Sequence, residues 1–279
     1  MSAGLERLGM GPALLFCPGD RPDRFQKAAE RADAVILDLE DAVGAESKTA
    51  AREAIATAAL EPSRTIVRVQ ARGASGFRDD LAAVAASPFR TVMLAKAESP
   101  DEVDAVAEAI EGVRVIALLE TARGVLAAES IAAHGRVVGL MWGAEDLVAS
   151  MGGTSSRDET GAYRDVAMHA RSHVLLVAGA HGVTAIDAIR TDIADLDGAE
   201  AEALDAAASG FGAKACIHPN HVEPYRRAFA PTEAQLDEAR RILAAAEQTP
   251  GVFSFEGRMV DEPILRHARS VVARATGAS

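Results

Sequence analysis

The chain has 279 residues, 49% of them hydrophobic but only 4% aromatic, and a formal net charge of -12. That length suits one large α/β barrel or two smaller domains with an aliphatic, alanine-rich core, and the acidic balance argues against nucleic acid as a partner, while leaving room for a local basic cluster and a small anionic ligand. No apolar run approaches the roughly 20 residues of a membrane span, and Met1–Met10 lacks the basic start and long apolar stretch of a secretory leader, so the cytoplasm is the expected compartment.

Strand-like apolar runs follow one another along the chain with helical patterns between them. They are ALLFC from Ala13, AVILDL from Ala34, TIVRVQ from Thr65, TVMLAK from Thr91, VRVIALL from Val113, VVGLMW from Val137, TAIDAI from Thr184 and AKACI from Ala213. Helical patterns such as RFQKAAER from Arg24 and DEVDAVAEAI from Asp101 follow most of them. Continuous apolar runs are what strands buried on both faces look like. Eight β-then-α units in series predict a TIM (β/α)8 barrel over residues 1–230. Residues 231–279 are surplus to it and predict a C-terminal helical arm, with an amphipathic helix from Thr232 to Glu247 capped by Thr232. A Gly/Phe stretch from Thr249 to Gly257 and a last helix from about Pro263 follow. An appended arm of this kind favours a homo-oligomer. The two cysteines, Cys17 and Cys216, fall in the first and last strands, which a closed barrel makes neighbours, and are expected to be buried thiols.

Two runs end on acids. RVIALLE closes on Glu120, and VVGLMWGAED closes on Glu145 and Asp146. Barrel strands deliver functional residues at their C-terminal rim. Neighbouring strands lie about 4.8 Å apart, so such carboxylates can share a hard cation with oxygen ligands about 2.1 Å away. Other strand ends add Asp38, Glu40 and Asp41 in DLED, Arg68, Lys96 and the Ile217-His218-Pro219 run. Taken singly, Asp41, Lys96 or Glu145 is equally well explained by a solvated strand end or an ion pair; together the set points to an active site. Arg21, Arg24 and Lys27 fall within an arc of about 120° at the start of the first helix. There a basic stripe beside exposed backbone N–H groups suits phosphate or carboxylate, although a solvated helix face explains the charges as well. No dinucleotide or P-loop glycine motif is present, His169 and His173 lack an acidic third ligand, and Ser155 and Ser156 look like loop residues.

The motifs come in a characteristic order. LLFCPGDRPDRFQKA runs from Leu14, VILDLEDAV from Val35 with Lys48, Ala51 and Arg52 after it, IVRV from Ile66 and MLAK from Met93. LETAR follows from Leu119, WGAEDL from Trp142, GFGAK from Gly210, CIHP from Cys216 and FEGRMVD from Phe255. On these the chain resembles the citrate lyase beta-subunit and malyl-CoA lyase family, most closely its stand-alone beta-subunit-like members, over nearly its whole length. The resemblance implies a trimeric TIM barrel that binds Mg²⁺ and a coenzyme A thioester. It would break or make the carbon–carbon bond between an acetyl- or propionyl-type enolate and a 2-oxo acid, as in citryl-, malyl- or citramalyl-CoA. By the same resemblance Glu120 and Asp146 would hold the magnesium and Arg68 would contact the 2-oxo acid. Phe16, Arg21 and Lys27 would meet the CoA ligand, and Asp261 matches an acid/base that reaches a neighbouring subunit's site. Asp38 and Glu40 are expected behind these, orienting Arg68 or metal-bound water. The chain departs from the family pattern at Ala95, where proline is usual and strand four's exit should loosen, and at Glu256-Gly257, where many members have Asp-Gly. A malate-synthase-like activity with thioester hydrolysis, or a CoA-binding subunit without turnover, could be built on the same scaffold.

Overall fold

A computed structural model describes residues 8–249 and 251–277. The sequence read for a leader therefore lies mostly outside the described residues, as does Pro250 of the Gly/Phe stretch. Eight parallel strands close into a barrel in sequential order: β1 Ala13–Pro18, β2 Ala34–Asp38, β3 Thr65–Val69, β4 Thr91–Leu94, β5 Arg114–Leu119, β6 Val137–Trp142, β7 Thr184–Asp187 and β8 Ala213–Cys216. The eight apolar runs thus each supply one strand, as expected. Side chains alternate across a strand, and every second residue fills the barrel. Leu14, Ala34, Ile36, Ile66, Met93, Ile116, Leu118, Met141, Ile186, Ala213 and Ala215 form its aliphatic interior, joined by Leu8 and Met10 from the chain before β1.

Two strand ends fall short of the acids and bases read onto them. β6 stops at Trp142, and Glu145 and Asp146 lie in the first turn of a helix, Ala144–Ser150. Acidic side chains are favoured there by the helix dipole. β4 stops at Leu94, two residues before Lys96. Its exit is held, not loosened: the Ala95 N–H donates to the Val69 carbonyl at 3.2 Å, a bond that proline could not make, and Ala97 N–H donates to Leu118 at 3.1 Å.

Cys17 and Cys216 lie on neighbouring strands, but Leu15, not Cys17, pairs with Cys216. Both are free and buried. Burial pushes the Cys17 thiol up to about 11 and the Cys216 thiol up to about 12, which keeps them protonated and unreactive at neutral pH.

The chain divides into two compact units, one ending at Tyr225 and the other starting at Arg226. Within the second, helices Glu233–Gln248 and Glu262–Gly277 share a small core of Ala239, Ile242, Leu265, Ala268 and Val271. Thr232 caps the first of them through a reciprocal pair with Gln235. The Gly/Phe stretch contributes a hairpin, β9 Phe253–Phe255 and β10 Arg258–Val260. Its turn places Glu256 and Gly257 at φ of 49° and 79°, the left-handed pair that two-residue hairpin turns require. Aspartate tolerates that conformation better than glutamate, so the departure at Glu256 is a strained choice. Among the described residues no helix is long and apolar enough to cross a membrane.

Candidate active site

The inward parity that fills the barrel also builds its C-terminal mouth. Counting up from Leu14, Ile36, Ile66 and Leu118 in steps of two gives Phe16, Asp38, Arg68 and Glu120 as the next inward side chains. Asp38 and Arg68 are direct partners across β2 and β3. Their side chains meet as a fork: Arg68 Nε donates to Asp38 Oδ1 at 2.7 Å and Nη2 to Oδ2 at 2.6 Å. Arg68 Nη1 lies 3.1 Å from Glu40 Oε2, and the guanidinium carbon sits 4.8 Å from the centre of the Phe16 ring. Asp38 also accepts the Glu40 and Ala42 N–H groups at 2.8 and 3.0 Å, so this fully buried carboxylate is anchored by the β2 exit loop. Burial opposes the Arg68 charge, but the hydrogen bond and charge of Asp38, with Glu40 behind, hold its pKa above that of an ordinary arginine.

Glu120 and Asp146 approach from the other side of the mouth. Gly143, which follows β6, makes room: a Cβ there would lie 2.8 Å from both Glu120 Cβ and Oε2. Burial, followed by the charge of Asp146, pushes the Glu120 carboxyl up to about 8. Lys96 stands between the acids. Its ammonium bonds Glu40 and lies 3.3 Å from Asp41, 3.7 Å from Asp146 and 4.0 Å from Glu120. Its backbone has a φ of 50°, left-handed for a residue with a side chain, a conformation that costs on the order of 1 kcal/mol or more. That backbone aims the Lys96 N–H at Glu120 Oε1, 3.1 Å away.

The donor set fits a hard divalent cation. Asp38, Glu40, Asp41, Glu120 and Asp146 face two cations, Arg68 and Lys96, which leaves an excess of negative charge at the mouth. Glu120 is 3% exposed and Asp146 42%, one carboxylate deep and one open to ligand. Among the described residues no three or more His, Cys, Asp or Glu come together as a group that could hold a metal ion. Magnesium-type sites need no such group, since they use one or two carboxylates and complete the shell with water and substrate oxygens.

Phe16, Asp38, Arg68, Glu120, Glu145 and Asp146 line one cavity of about 140 Å³. Glu40 and Lys96 line a second of about 330 Å³ with Asp41, Lys48 and Gln70. Arg21 and Lys27 line neither: Arg21 bonds Asp23 at 2.8 Å on the first helix, and Lys27 is exposed. Asp261 belongs to the second unit, where its Oδ1 accepts the Ile264 N–H at 3.4 Å as a helix cap. His169 and His173 stack with ring centres 6.1 Å apart on the helix Asp165–His181.

Two features escaped the sequence reading. Ser156, a buried loop residue, donates to Glu145 Oε1 at 2.6 Å and so braces the residue beside Asp146. On the helix side of the barrel, Asp187 accepts Trp142 Nε1 at 2.7 Å, Arg171 Nε at 3.0 Å and Lys214 Nζ at 2.9 Å. A lysine in the apolar run AKAC was the available signal, because a buried ammonium demands a buried acid.

Comparison with known proteins matches residues 13–219 to the HpcH/HpaI aldolase/citrate lyase family. A citrate lyase subunit beta-like protein of Mycobacterium tuberculosis is 51% identical over 95% of this chain and 96% of its own length. A (3S)-malyl-CoA thioesterase of Cereibacter sphaeroides is 34% identical over 94% of each chain. The crystal structure of CitE from M. tuberculosis in complex with magnesium, acetoacetate and coenzyme A superposes with a TM-score of 0.90 at 50% identity, covering 96% of this chain and 99% of that one. By its barrel and its motifs, and by these matches, this chain belongs to the HpcH/HpaI aldolase/citrate lyase family of carbon–carbon lyases.

Proposed function

We propose that the chain is a cytoplasmic, Mg²⁺-dependent acyl-CoA lyase. It cleaves, or forms, the carbon–carbon bond of a 3-hydroxyacyl-CoA such as citryl-, malyl- or citramalyl-CoA. Cleavage yields acetyl-CoA or another acyl-CoA and a 2-oxo acid. The observation that carries this reading is the convergence of Glu120, Asp146 and Arg68 on one cavity, supported by the CitE structure with magnesium and coenzyme A.

Cleavage requires the 3-hydroxyl to lose its proton. The C2–C3 bond then breaks with its electron pair passing into the thioester as an enolate, and C2 gains a proton. Glu120 and Asp146 would hold Mg²⁺, whose charge supplies Lewis-acid polarisation of a chelated 2-oxo acid. Arg68, immobilised by Asp38 and Glu40, presents fixed N–H donors to the substrate carboxylate or the developing oxyanion, and needs little reorganisation to do so. Phe16 offers an apolar wall beside that guanidinium, and Arg21 and Lys27 receive the CoA moiety. Asp261 exchanges the proton with C2, reaching the site of a neighbouring subunit in a homotrimer. Thioester hydrolysis is the second reading, favoured by the thioesterase relative.

Purified protein incubated with citryl-, malyl- and citramalyl-CoA, with and without magnesium, tests these readings. A lyase releases 2-oxo acid without free CoA thiol, a thioesterase releases thiol, and a subunit that only binds CoA releases neither. Magnesium-independent turnover, or no 2-oxo acid from any of the three, rejects the proposal. In the same assay Arg68→Lys is expected to lose at least roughly tenfold in turnover, about 1.4 kcal/mol of barrier. An ammonium keeps the charge but cannot make the fork to Asp38. Near-normal rates with lysine would reduce Arg68 to a structural part. Asp261→Ala should lose turnover yet keep magnesium-dependent binding of a 2-oxo acid. Mixing it with Glu120→Ala subunits should restore activity if the site is shared, and no recovery would leave Asp261 a helix cap or an acid serving its own chain.

A further inference from the structure

Lys96 belongs to no role assigned so far, yet it touches more of the site's charge than any other side chain described there. Its ammonium bonds Glu40, lies 3.3 Å from Asp41, and stands 3.7 Å from Asp146 Oδ1 and 4.0 Å from Glu120 Oε1. It therefore bridges two acidic groups, Glu40 with Asp41 on the β2 exit loop and Glu120 with Asp146 on the opposite side of the mouth. Its backbone contributes separately, because the left-handed turn at φ 50° directs its N–H onto Glu120 Oε1 at 3.1 Å. Neighbouring bonds from Ala95 to Val69 and from Ala97 to Leu118 pin the peptide on both sides, so the turn is held in place by β3 and β5 together.

We infer that Lys96 is a positioning residue for the cation site: its backbone N–H orients Glu120, while its ammonium is an internal counterion that competes with a divalent ion for Glu120 and Asp146. This inference rests on the metal reading above and extends it. A divalent ion seated between those carboxylates would lie close to this ammonium, and like charges at such separations in a partly buried site repel strongly. The ammonium has somewhere to go, since Glu40 and Asp41 lie beside the larger cavity, which Lys96 already lines. Lysine has the flexible stem for such a shift, which a glycine- or alanine-sized residue could not provide. The device lowers magnesium affinity in exchange for holding the paired acids together when no ion is bound, and it leaves the ion exchangeable with substrate.

The test compares wild type, Lys96→Met and Lys96→Arg by thermal unfolding in EDTA and in magnesium chloride, with calorimetric titration of Mg²⁺. Lys96→Met should unfold at a lower temperature than wild type in EDTA, because four carboxylates lose their counterion. Its stabilisation by magnesium should be larger than that of wild type, and its Mg²⁺ dissociation constant tighter by roughly tenfold or more. Lys96→Arg keeps the charge and should behave as wild type in both measurements. Equal loss of stability with and without magnesium, with an unchanged dissociation constant, would make Lys96 a merely structural ion pair and overturn the inference. Weaker magnesium binding in Lys96→Met would overturn it too. If the methionine variant does not fold, Lys96→Gln, which keeps a polar end without the charge, is read by the same criteria. Absence of any magnesium response in wild type would instead reject the metal reading itself.

Discussion

Replacing Glu120 or Asp146 by alanine is expected to abolish magnesium-dependent binding of a 2-oxo acid such as oxaloacetate, a loss of at least roughly hundredfold in affinity. On the proposed metal site each change would remove one of two charged oxygen ligands, and even partners behind the ligands are worth about 10–100-fold in metal sites. The same variants should not be destabilised in EDTA. Burial and the Asp146 charge already disfavour ionised Glu120, so deleting either acid relieves a repulsion, which offsets the contacts with Lys96 that each variant gives up. Loss of binding together with retained or raised thermal stability is thus the signature expected of a ligand, and it differs from that of a structural acid. Calorimetry that found unchanged magnesium-dependent affinity in both variants would remove Glu120 and Asp146 from the metal site.

The second large effect lies outside the mouth. Lys214 is fully buried, and its ammonium donates to Asp187 Oδ2 at 2.9 Å and the Ala188 carbonyl at 2.7 Å. Lys214→Met should cost roughly 3 kcal/mol, the lower end for breaking one side of a buried pair, since Arg171 still faces Asp187. At about 2–4 °C per kcal/mol for a chain of this size, the melting temperature should fall by roughly 6–12 °C. The pH dependence has a definite sign. Burial works to raise the Asp187 pKa, but the charges and hydrogen bonds of Lys214 and Arg171 outweigh it and hold the carboxyl below the ordinary aspartate range. A depressed carboxyl contributes stability that is present above its unfolded value near 3.9 and is lost as the pH falls through the lower folded value. With Lys214 replaced, burial has less opposition, so acid unfolding should begin at a higher pH than in wild type. Trp142, the only tryptophan in the sequence, donates to Asp187 at 2.7 Å and reports the event by its fluorescence. An acid transition and melting temperature both matching wild type would mean that the buried lysine is energetically neutral.

The barrel and the deep half of its site could be read from the sequence alone. Eight apolar runs separated by helical stretches specify eight buried parallel strands, because strand and helix periods differ and burial on both faces demands continuous apolar sequence. Period two then carries Phe16, Asp38, Arg68 and Glu120 to one rim, so their meeting follows from local pattern once the strands are in sequential order. The tertiary structure decided what depends on register and on loops. Asp146 arrives from a helix's first turn and not from a strand end, since β6 breaks at Gly143, where a side chain would strike Glu120. The hairpin Phe253–Val260 was hidden because three-residue strands are too short to show alternation. Lys96, Ser156 and the Asp187–Lys214 pair gain their partners from 11 to 56 positions away in the chain. Charge partners at such separations are set by strand order and loop path, and no local periodicity encodes them. The sequence by itself therefore determined which residues face the mouth from the strands, and only the closed barrel decided how their charges are balanced.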